Sequence, residues 1–127
     1  MHFRRLMIKN VHYMRTLSDE IVNEMICHLE VKRFAKDSII LKSGDVCNKL
    51  NFVRHGEIDV LVTNKVEGKE DEREELHFDK LNTGSCFCAY TFISDDAQQL
   101  QFFKARTNCI IESISREDMF KLAKKYY

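Results

Sequence analysis

The chain has 127 residues, 44% of them hydrophobic, and its 20 Lys and Arg residues balance its 20 Asp and Glu residues. This length fits one domain, which buries roughly two thirds of the surface that its unfolded chain exposes. A formal net charge of zero creates no long-range field that attracts nucleic acid or an anionic membrane surface. The net charge therefore gives no indication that nucleic acid or a membrane surface is a partner.

The cysteines and the hydropathy pattern predict the compartment. The five Cys are odd in number, lack C-x-x-C spacing and follow no secretory leader, so we expect reduced thiols in the cytosol. Charged residues interrupt every hydrophobic segment before it reaches the roughly 18 residues that a membrane helix needs. We therefore expect that these residues do not span a bilayer.

Two helices are predicted at the start of the chain. The first has an amphipathic spacing. Its predicted apolar face contains Phe3, Leu6, Met7 and Val11. Arg4, Arg5 and Lys9 fall elsewhere on the helix, and we expect them on an exposed polar face. A second helix is predicted to begin after Ser18, whose hydroxyl suits the N-cap position. The residues expected to face the core from this helix are Ile21, Met25 and Leu29.

After Glu30 the hydrophobic period changes from helical to alternating, which predicts a series of short strands. The alternating runs are VKRF, SIILK, NFVRH, EIDVLV, ELHFDKL, QFFKART and CIIESI. Gly56 stands between two of these runs, where a tight turn calls for a positive φ. The charged segment 65–76 is interpreted as a solvated loop at a hairpin end, with a partner-docking acidic tip as the alternative.

Ser115 to Asp118 have the pattern of a capping box and predict a final helix. We expect Met119, Phe120 and Ala123 to face inward from it. The order of the predicted elements, with helices first, then a run of strands and then a helix, is typical of an α+β fold. We predict an antiparallel, jelly-roll-like β-roll flanked by N-terminal helices and a C-terminal helix.

Four short motifs in this order resemble the cyclic-nucleotide-binding domain family, and specifically the cytosolic domains of cyclic-nucleotide-gated, hyperpolarisation-activated and voltage-gated potassium channels. The motifs are Leu17-Ser18-Asp19-Glu20-Ile21, then Ile39-Ile40 with Gly44-Asp45, then Phe52-Val53 with Gly56, then Leu81 with Gly84. The resemblance implies one domain over residues 1–127. Within it, 1–15 resemble the end of a channel linker, 16–114 form a helix and the β-roll, and 115–127 form a C-terminal helix. The lid helix of the family has no match here.

The resemblance also implies where a ligand would bind. In the family, backbone N–H groups and an Arg hold the cyclic phosphate, and a Glu accepts a hydrogen bond from the ribose. Here Phe87-Cys88-Ala89 takes the place of Phe-Gly-Glu, and the Arg position falls at Gln99, so both charged contacts are lost. Lys104 or Arg106 is the alternative source of a cation. The candidate pocket residues are Phe87, Cys88, Ala89, Tyr90, Thr91, Gln99, Leu100, Gln101 and Lys104.

A hydrogen bond to a charged group is worth roughly 1.5 to 3 kcal/mol, so we expect cAMP and cGMP to bind weakly or not at all. No other cofactor, no nucleic acid and no enzyme activity are expected. By resemblance, the partners are the pore and linker of a parent membrane channel in which four copies assemble, with the domain on the cytoplasmic side of the membrane. The alternative is a functional cAMP or cGMP sensor of a channel, exchanger or kinase regulatory subunit that uses rearranged anchors.

Three further patterns have structural interpretations. Cys86-x-Cys88 lacks the second ligand pair of a zinc site, so buried thiols are expected. The five His are scattered, without the His and carboxylate set of a metal-dependent, cupin-like enzyme. The aromatic residues near the pocket are expected in the core, with stacking on a purine as the alternative. These aromatic residues are Tyr90, Phe92, Phe102 and Phe103.

Overall fold

Two antiparallel sheets that pack face to face form the body of the protein in a computed structural model. The structure describes residues 2–9, 14–42, 48–65, 73–87 and 102–126. The helices are α1 (His2–Lys9), α2 (Asp19–Cys27) and α3 (Arg116–Tyr126). The strands are β1 (Glu30–Phe34), β2 (Ile39–Leu41), β3 (Lys49–His55), β4 (Ile58–Lys65), β5 (Arg73–Leu81), β6 (Cys86–Phe87), β7 (Phe102–Ala105) and β8 (Cys109–Ser115).

The first sheet has the strand order β1-β8-β3-β6 and the second has β2-β7-β4-β5, with antiparallel pairing in both. The α+β class and the jelly-roll-like β-roll predicted from the sequence are therefore confirmed. All seven predicted strands are present, whereas β6 was missed because two residues are too few to show an alternating pattern. None of the helices that the structure describes is long and apolar enough to cross a membrane.

The hairpin between β4 and β5 revises the interpretation of the charged segment. β4 extends to Lys65, which pairs with Arg73 at the start of β5. The predicted hairpin is confirmed, but residues 73–76 belong to a strand rather than to a loop. Residues 66–72, and with them the proposed acidic tip, lie outside the described residues.

The first sheet buries a different cluster on each face. Because side chains alternate along a strand, Leu50 and Phe52 of β3 face the helices, and Ile114 of β8 packs with them. Val53 and Ile111, at the alternate positions of the same strands, pack in the space between the two sheets. The first cluster holds the helices on the roll, and the second joins the sheets.

The docking face of helix α1 agrees with the predicted one only in part. Met7 is buried as predicted, together with Ile8, whereas Phe3 and Leu6 are 37% and 51% exposed. Val11 lies outside the described residues. Apolar side chains occur around much of this short helix, so spacing alone did not identify the docking face.

Helix α2 begins as predicted. The Ser18 hydroxyl accepts a hydrogen bond of 3.4 Å from the backbone N–H of Ile21, as expected of an N-cap residue. Ile21 and Met25 are buried, and Leu29 is partly buried against the same cluster. The predicted core face of this helix is therefore confirmed.

Helix α3 also has its predicted cap, because the Ser115 hydroxyl accepts a 3.1 Å hydrogen bond from the Asp118 N–H. Its inward residues are Met119, Leu122 and Tyr126. Phe120 is 55% exposed and Ala123 is exposed, so the inward positions predicted for these two were wrong. Apolar residues lie on both sides of the helix, and contact with α2 selects the side that carries Leu122.

Gly56, in the turn between β3 and β4, has the positive φ that the sequence predicts. Its φ is 106°, and a Cβ atom there would lie 2.7 Å from both the backbone oxygen of Asn108 and the Sγ of Cys109. Both the backbone conformation and the close approach therefore require glycine at this turn.

Candidate functional site

A cavity of about 220 Å³ opens at one end of the space between the sheets, and we call it the inner cavity. Strands β1, β2, β3 and β8 supply the residues that line it, together with Asn48. The apolar lining consists of Phe34, Ile40, Leu41 and Ile111. The polar lining consists of Lys32, Asn48, Lys49, Asn51 and Ser113.

The strand register explains why polar side chains reach the inner cavity. Lys32 pairs with Ile111, and Asn51 pairs with Ser113, so each pair shares one face of the sheet. Ile111 packs between the sheets, which places Lys32 on the same inner face. The inner face of the first sheet is therefore apolar at one end and polar at the other. In strands of this kind the inner positions are ordinarily apolar, so the polar end marks a space that the core does not fill.

The polar end contains both charged and neutral groups. Lys49 Nζ lies 3.2 Å from Glu30 Oε2, and the side-chain amide of Asn51 donates to the backbone oxygen of Lys49 at 3.1 Å. Ser113 is buried, with 4% of its surface exposed, and its side chain lines the inner cavity. These residues were not among the sequence candidates. The signal that could have found them is a polar residue at an inner-facing position of an alternating strand.

Of the predicted pocket residues, Phe87 is described in full. It is buried and stacks on Phe103, with ring centroids 4.8 Å apart and an interplanar angle of 28°. Phe102 is buried as well, so the expectation that Phe102 and Phe103 contribute to the core is confirmed. Phe87 also pairs with Asn51 across the sheet, which places it beside the inner cavity.

Most of the other candidates belong to a segment outside the described residues. They are Cys88, Ala89, Tyr90, Thr91, Gln99, Leu100 and Gln101. The strands that this segment joins are nevertheless described. Phe87 at the end of β6 pairs with Asn51, and Phe103 near the start of β7 pairs with Leu41. Both partners line the inner cavity, so the described residues on either side of this segment, Phe87 and Phe103, lie beside that cavity.

Lys104 and Arg106 lie on the outside of the roll. Phe103 and Ala105 pack between the sheets, so strand alternation places Lys104 on the outer face of β7. The guanidinium of Arg106 lies 3.7 Å from the carboxylate of Asp59, whose Cα pairs with that of Lys104. Lys104 therefore belongs to the outer surface of the second sheet rather than to the lining of the inner cavity, and neither residue brings a cation inside.

On the opposite face of the first sheet, a buried carboxylate attaches α1 to the roll. Glu112 is 1% exposed, and its carboxylate contacts two guanidinium groups: Arg4 of α1 at 2.6 Å and Arg54 of β3 at 3.4 Å. Arg54 also lies 5.1 Å from the ring centroid of Phe3. Arg4 was expected on an exposed polar face, but its side chain is only 33% exposed, because its guanidinium pairs with a buried carboxylate that requires a cationic partner.

A second carboxylate joins α2 to α3 at the edge of the helix layer. Glu24 accepts hydrogen bonds from Lys125 Nζ at 2.6 Å and from the Tyr126 hydroxyl at 2.8 Å. These two hydrogen bonds lower the pKa of Glu24 from its ordinary value of 4.5. The same contacts with Glu24 raise the pKa values of Lys125 and Tyr126.

The described part of the chain offers no metal centre. Within residues 2–9, 14–42, 48–65, 73–87 and 102–126, no group of three His, Cys, Asp or Glu side chains could hold a metal ion. Cys86 is partly buried against the helix-side cluster. Cys27 is exposed, and Cys109 is buried, where its Sγ donates toward the backbone oxygen of Glu57 at 3.3 Å. Cys88 lies outside the described residues.

The described structure is thus a β-roll of two sheets, with helices attached to one sheet and a small cavity between the two. The sequence model of the family described as "Cyclic nucleotide-binding domain" matches residues 31–126. The chain therefore belongs to the cyclic nucleotide-binding domain family. Among curated proteins, none matches the chain in sequence.

Solved structures share this fold. The regulatory domain of Toxoplasma gondii PKA, co-crystallised with cAMP, has a TM-score of 0.79 at 15% identity, covering 95% of this chain and 43% of its own. The N-terminal domain of a transcriptional regulator from Streptomyces coelicolor A3(2) has a TM-score of 0.80 at 13% identity, covering 94% of this chain and 81% of its own. A cyclic nucleotide-binding-like protein from Brucella abortus bv. 1 str. 9-941 has a TM-score of 0.80 at 13% identity. The match covers 95% of this chain and 97% of the Brucella protein. This chain thus spans less than half of the Toxoplasma regulatory domain.

Proposed function

We propose that this chain is a regulatory domain that acts through the helices attached to its roll and binds cAMP and cGMP weakly or not at all. The observation that carries the proposal is the sequence of the segment between β6 and β7. By the resemblance, Ala89 takes the position of the family's ribose-binding Glu, and Gln99 takes that of its phosphate-binding Arg. Of the described cations nearby, Lys104 and Arg106 belong to the outer surface.

The loss of two charged contacts favours weak binding of a cyclic nucleotide. A cyclic phosphate carries a full negative charge, and an Arg holds it by two charge-assisted hydrogen bonds, whereas Gln offers one neutral donor. Ala89 has no group that can accept a hydrogen bond from a ribose hydroxyl. Losing two such contacts corresponds to several orders of magnitude in the dissociation constant.

The helix contacts supply a route by which such a domain regulates an attached partner. Arg4 of α1 binds Glu112 of the roll, and Lys125 of α3 binds Glu24 of α2. Whatever binds one arrangement of these helices more tightly than another shifts the population toward it. Under this proposal α1 is the element that passes the change to the preceding part of a parent protein.

Attachment to an ion channel is the finer part of the proposal. Residues 1–15 resemble the end of a channel linker, and α1 within this segment is anchored to the roll through Arg4. We place the domain on the cytoplasmic side of a membrane, beside a pore that four copies surround. Expression of the complete natural protein, followed by membrane fractionation and cross-linking, tests this: a membrane-bound tetramer supports the channel context, and a monomer in the soluble fraction contradicts it.

Nucleotide binding is tested by calorimetric titration of the domain with cAMP and with cGMP. We expect no measurable heat of binding at micromolar ligand. The double variant Ala89→Glu with Gln99→Arg restores both charged groups and should bind at least about a hundredfold more tightly than the wild type. Ala89→Gln with Gln99→Met is the matched control, because it introduces side chains of similar size without charge. Micromolar binding by the wild type would overturn the proposal in favour of a working nucleotide sensor.

A further inference from the structure

We propose that β1 of one copy of this chain pairs edge to edge with β5 of a second copy, in antiparallel orientation. Residues 30–34 of one copy lie opposite residues 73–77 of the other, so that a sheet continues from one copy into the next. The contact goes beyond the proposed function, because it requires neither a pore nor a cyclic nucleotide.

Both strands lie at an edge of their sheet. The strand orders β1-β8-β3-β6 and β2-β7-β4-β5 give β1 and β5 one neighbour each among the strands that the structure describes. An edge strand presents backbone N–H and C=O groups on its open side, and these groups can pair with a strand of another molecule. The edges formed by β2 and β6 contain three and two residues, whereas β1 and β5 contain five and nine. The longest edges of the described sheets are therefore β1 and β5.

Exposed apolar side chains lie on both of these edges. Four of the five residues of β1 are exposed, and Val31 among them is 49% exposed. Leu76 of β5 is 41% exposed. A strand that is added at such an edge covers these aliphatic side chains, which favours the pairing.

A bulge limits the part of β5 that can accept a strand. The pairing of β5 with β4 is regular from Arg73 to His77, and its register shifts between His77 and Asp79. A bulge bends and twists a strand, which interrupts pairing along its open edge. The regular stretch is therefore 73–77, and it has the same length as β1.

The two stretches are complementary when Val31 lies opposite Leu76. This register brings the two exposed apolar residues together and places basic residues of β1 opposite acidic residues of β5. Residues that lie opposite each other in an antiparallel pair share one face, and apolar or oppositely charged pairs stabilise the sheet. The opposed pairs are Val31 with Leu76, Lys32 with Glu75, and Arg33 with Glu74.

Neighbouring registers lose this match. A shift by one residue in one direction places Arg33 opposite Arg73, and a shift in the other direction places Lys32 opposite Leu76. Like charges that lie opposite each other destabilise a sheet. Charge and hydrophobicity together therefore select one register.

The partner is a second copy because the two edges of one chain lie on opposite sides of the roll. Residues 35–38 join β1 to β2 at one side, and residues 82–85 join β5 to β6 at the other. The two edges of one chain therefore cannot reach each other. The contact joins two different surfaces, which is the head-to-tail type that forms rings or longer chains of copies.

Charge reversal tests the register through self-association. In sedimentation velocity experiments we expect the wild type to associate as its concentration rises to about 1 mM. Lys32→Glu with Arg33→Glu should weaken association at least about tenfold, because two attractive pairs become repulsive. Addition of Glu74→Lys and Glu75→Lys to the same chain exchanges the charges of both edges and should restore association.

The matched control is Lys121→Glu with Lys124→Glu, which changes the net charge equally on the exposed surface of α3. The control should associate within about twofold of the wild type. A wild type that stays monomeric up to about 1 mM, or a control that loses as much as the β1 variant, overturns the proposal. A charge-exchanged chain that keeps the circular dichroism spectrum of the wild type but does not associate also overturns it.

Disulfide formation tests the register even where a charge variant does not fold. Val31→Cys and Leu76→Cys are introduced into separate copies that carry Cys27→Ser, because Cys27 is an exposed thiol. Opposed positions of paired strands lie within the distance that a disulfide spans. After the two copies are mixed and oxidised, mass spectrometry of the digested product should find the link between positions 31 and 76.

The control for the disulfide replaces Val31→Cys with Ile39→Cys, which lies on β2 and has a similar exposure of 50%. The control should give at most about a tenth of the disulfide yield with Leu76→Cys. Equal yields from the two mixtures would show that exposure alone, rather than strand pairing, determines the link, and would overturn the proposal.

These experiments separate a failure of the contact from a failure of the proposed function. Micromolar binding of cAMP or cGMP by the wild type contradicts the proposed function and leaves the contact between copies unaffected. Absence of association, together with absence of nucleotide binding, overturns the contact and leaves the weak nucleotide binding of the proposed function intact.

Discussion

The two faces of the first sheet differ in the surroundings of their polar side chains. On the face toward the helices, the carboxylate of Glu112 is almost fully buried, and Arg4 and Arg54 satisfy it from within the protein. On the inner face, Lys32 and Ser113 line a cavity instead. Polar residues of these two kinds have different roles. A buried polar group whose partners lie within the protein holds structural elements together, whereas polar groups around an unfilled space are suited to a ligand.

The largest effect is expected where the buried carboxylate loses its partner. Arg4→Met should lower the free energy of unfolding by about 2 kcal/mol, because Glu112 is left buried with Arg54 as its remaining cation at 3.4 Å. Urea denaturation followed by circular dichroism measures this change.

Arg5→Met on the same helix is the control for this prediction. Arg5 contacts Asp19 at 3.2 Å, where the side chain of Asp19 is 78% exposed, and such surface pairs contribute little. The effect of Arg5→Met should therefore stay within about 0.5 kcal/mol. Equal losses for the two variants would mean that Glu112 does not attach α1 to the roll.

The fold was accessible from the sequence because its main signals are local. Alternation identified seven strands, and the hydroxyls of Ser18 and Ser115 identified two helix starts. The docking faces of α1 and α3 were predicted only in part, since Met7 and Met119 face inward as expected but their neighbours depend on contacts with residues far away in the chain. Arg4 and Glu112, for example, are 108 positions apart, and no local sequence pattern predicts that their side chains are in contact.

The candidate site was predicted only in part for a related reason. The resemblance predicts a binding segment that begins after Phe87, and the described residues on either side of it, Phe87 and Phe103, lie beside the inner cavity. Lys32 and Ser113 were not predicted, because an alternating pattern identifies a strand but does not show which of its two faces is the inner one. Recognising them requires the register of β1 against β8, which sequence alone does not provide.

On the inner face, a substitution should raise the free energy of unfolding rather than lower it. Ser113→Val should raise the free energy of unfolding by about 0.5 to 1 kcal/mol, because the added methyl groups fill part of the inner cavity. Thermal unfolding in the absence of ligand measures this. Ser115→Ala, two residues along the same strand, should instead cost about 1 kcal/mol through loss of the α3 cap. Destabilisation by Ser113→Val would show that Ser113 is satisfied within the core, as Glu112 is on the other face.

A smaller effect is expected at the edge of the helix layer, where the carboxylate is more exposed. Glu24→Gln should lower the melting temperature by about 2 °C or less. Raising the salt concentration to about 1 M should reduce this difference, since exposed charges are screened, while the effect of Arg4→Met should persist. A salt-sensitive Arg4→Met variant would indicate that Glu112 is more open to water than the structure shows.

The smallest effect is a pH dependence that belongs to the Glu24 contact. Because hydrogen bonds from Lys125 and Tyr126 lower the pKa of Glu24 below 4.5, its contribution to stability is present above pH 4.5 and is lost as the pH falls through the lowered pKa. The raised pKa of Lys125 has the opposite consequence, so its contribution is complete below pH 10.5 and is lost as the pH rises through the raised value. The melting-temperature difference between wild type and Glu24→Gln should therefore be largest near neutral pH and should shrink toward both extremes. A difference that stays constant down to pH values well below 4.5 would mean that the ionised carboxylate of Glu24 does not hold α2 and α3 together.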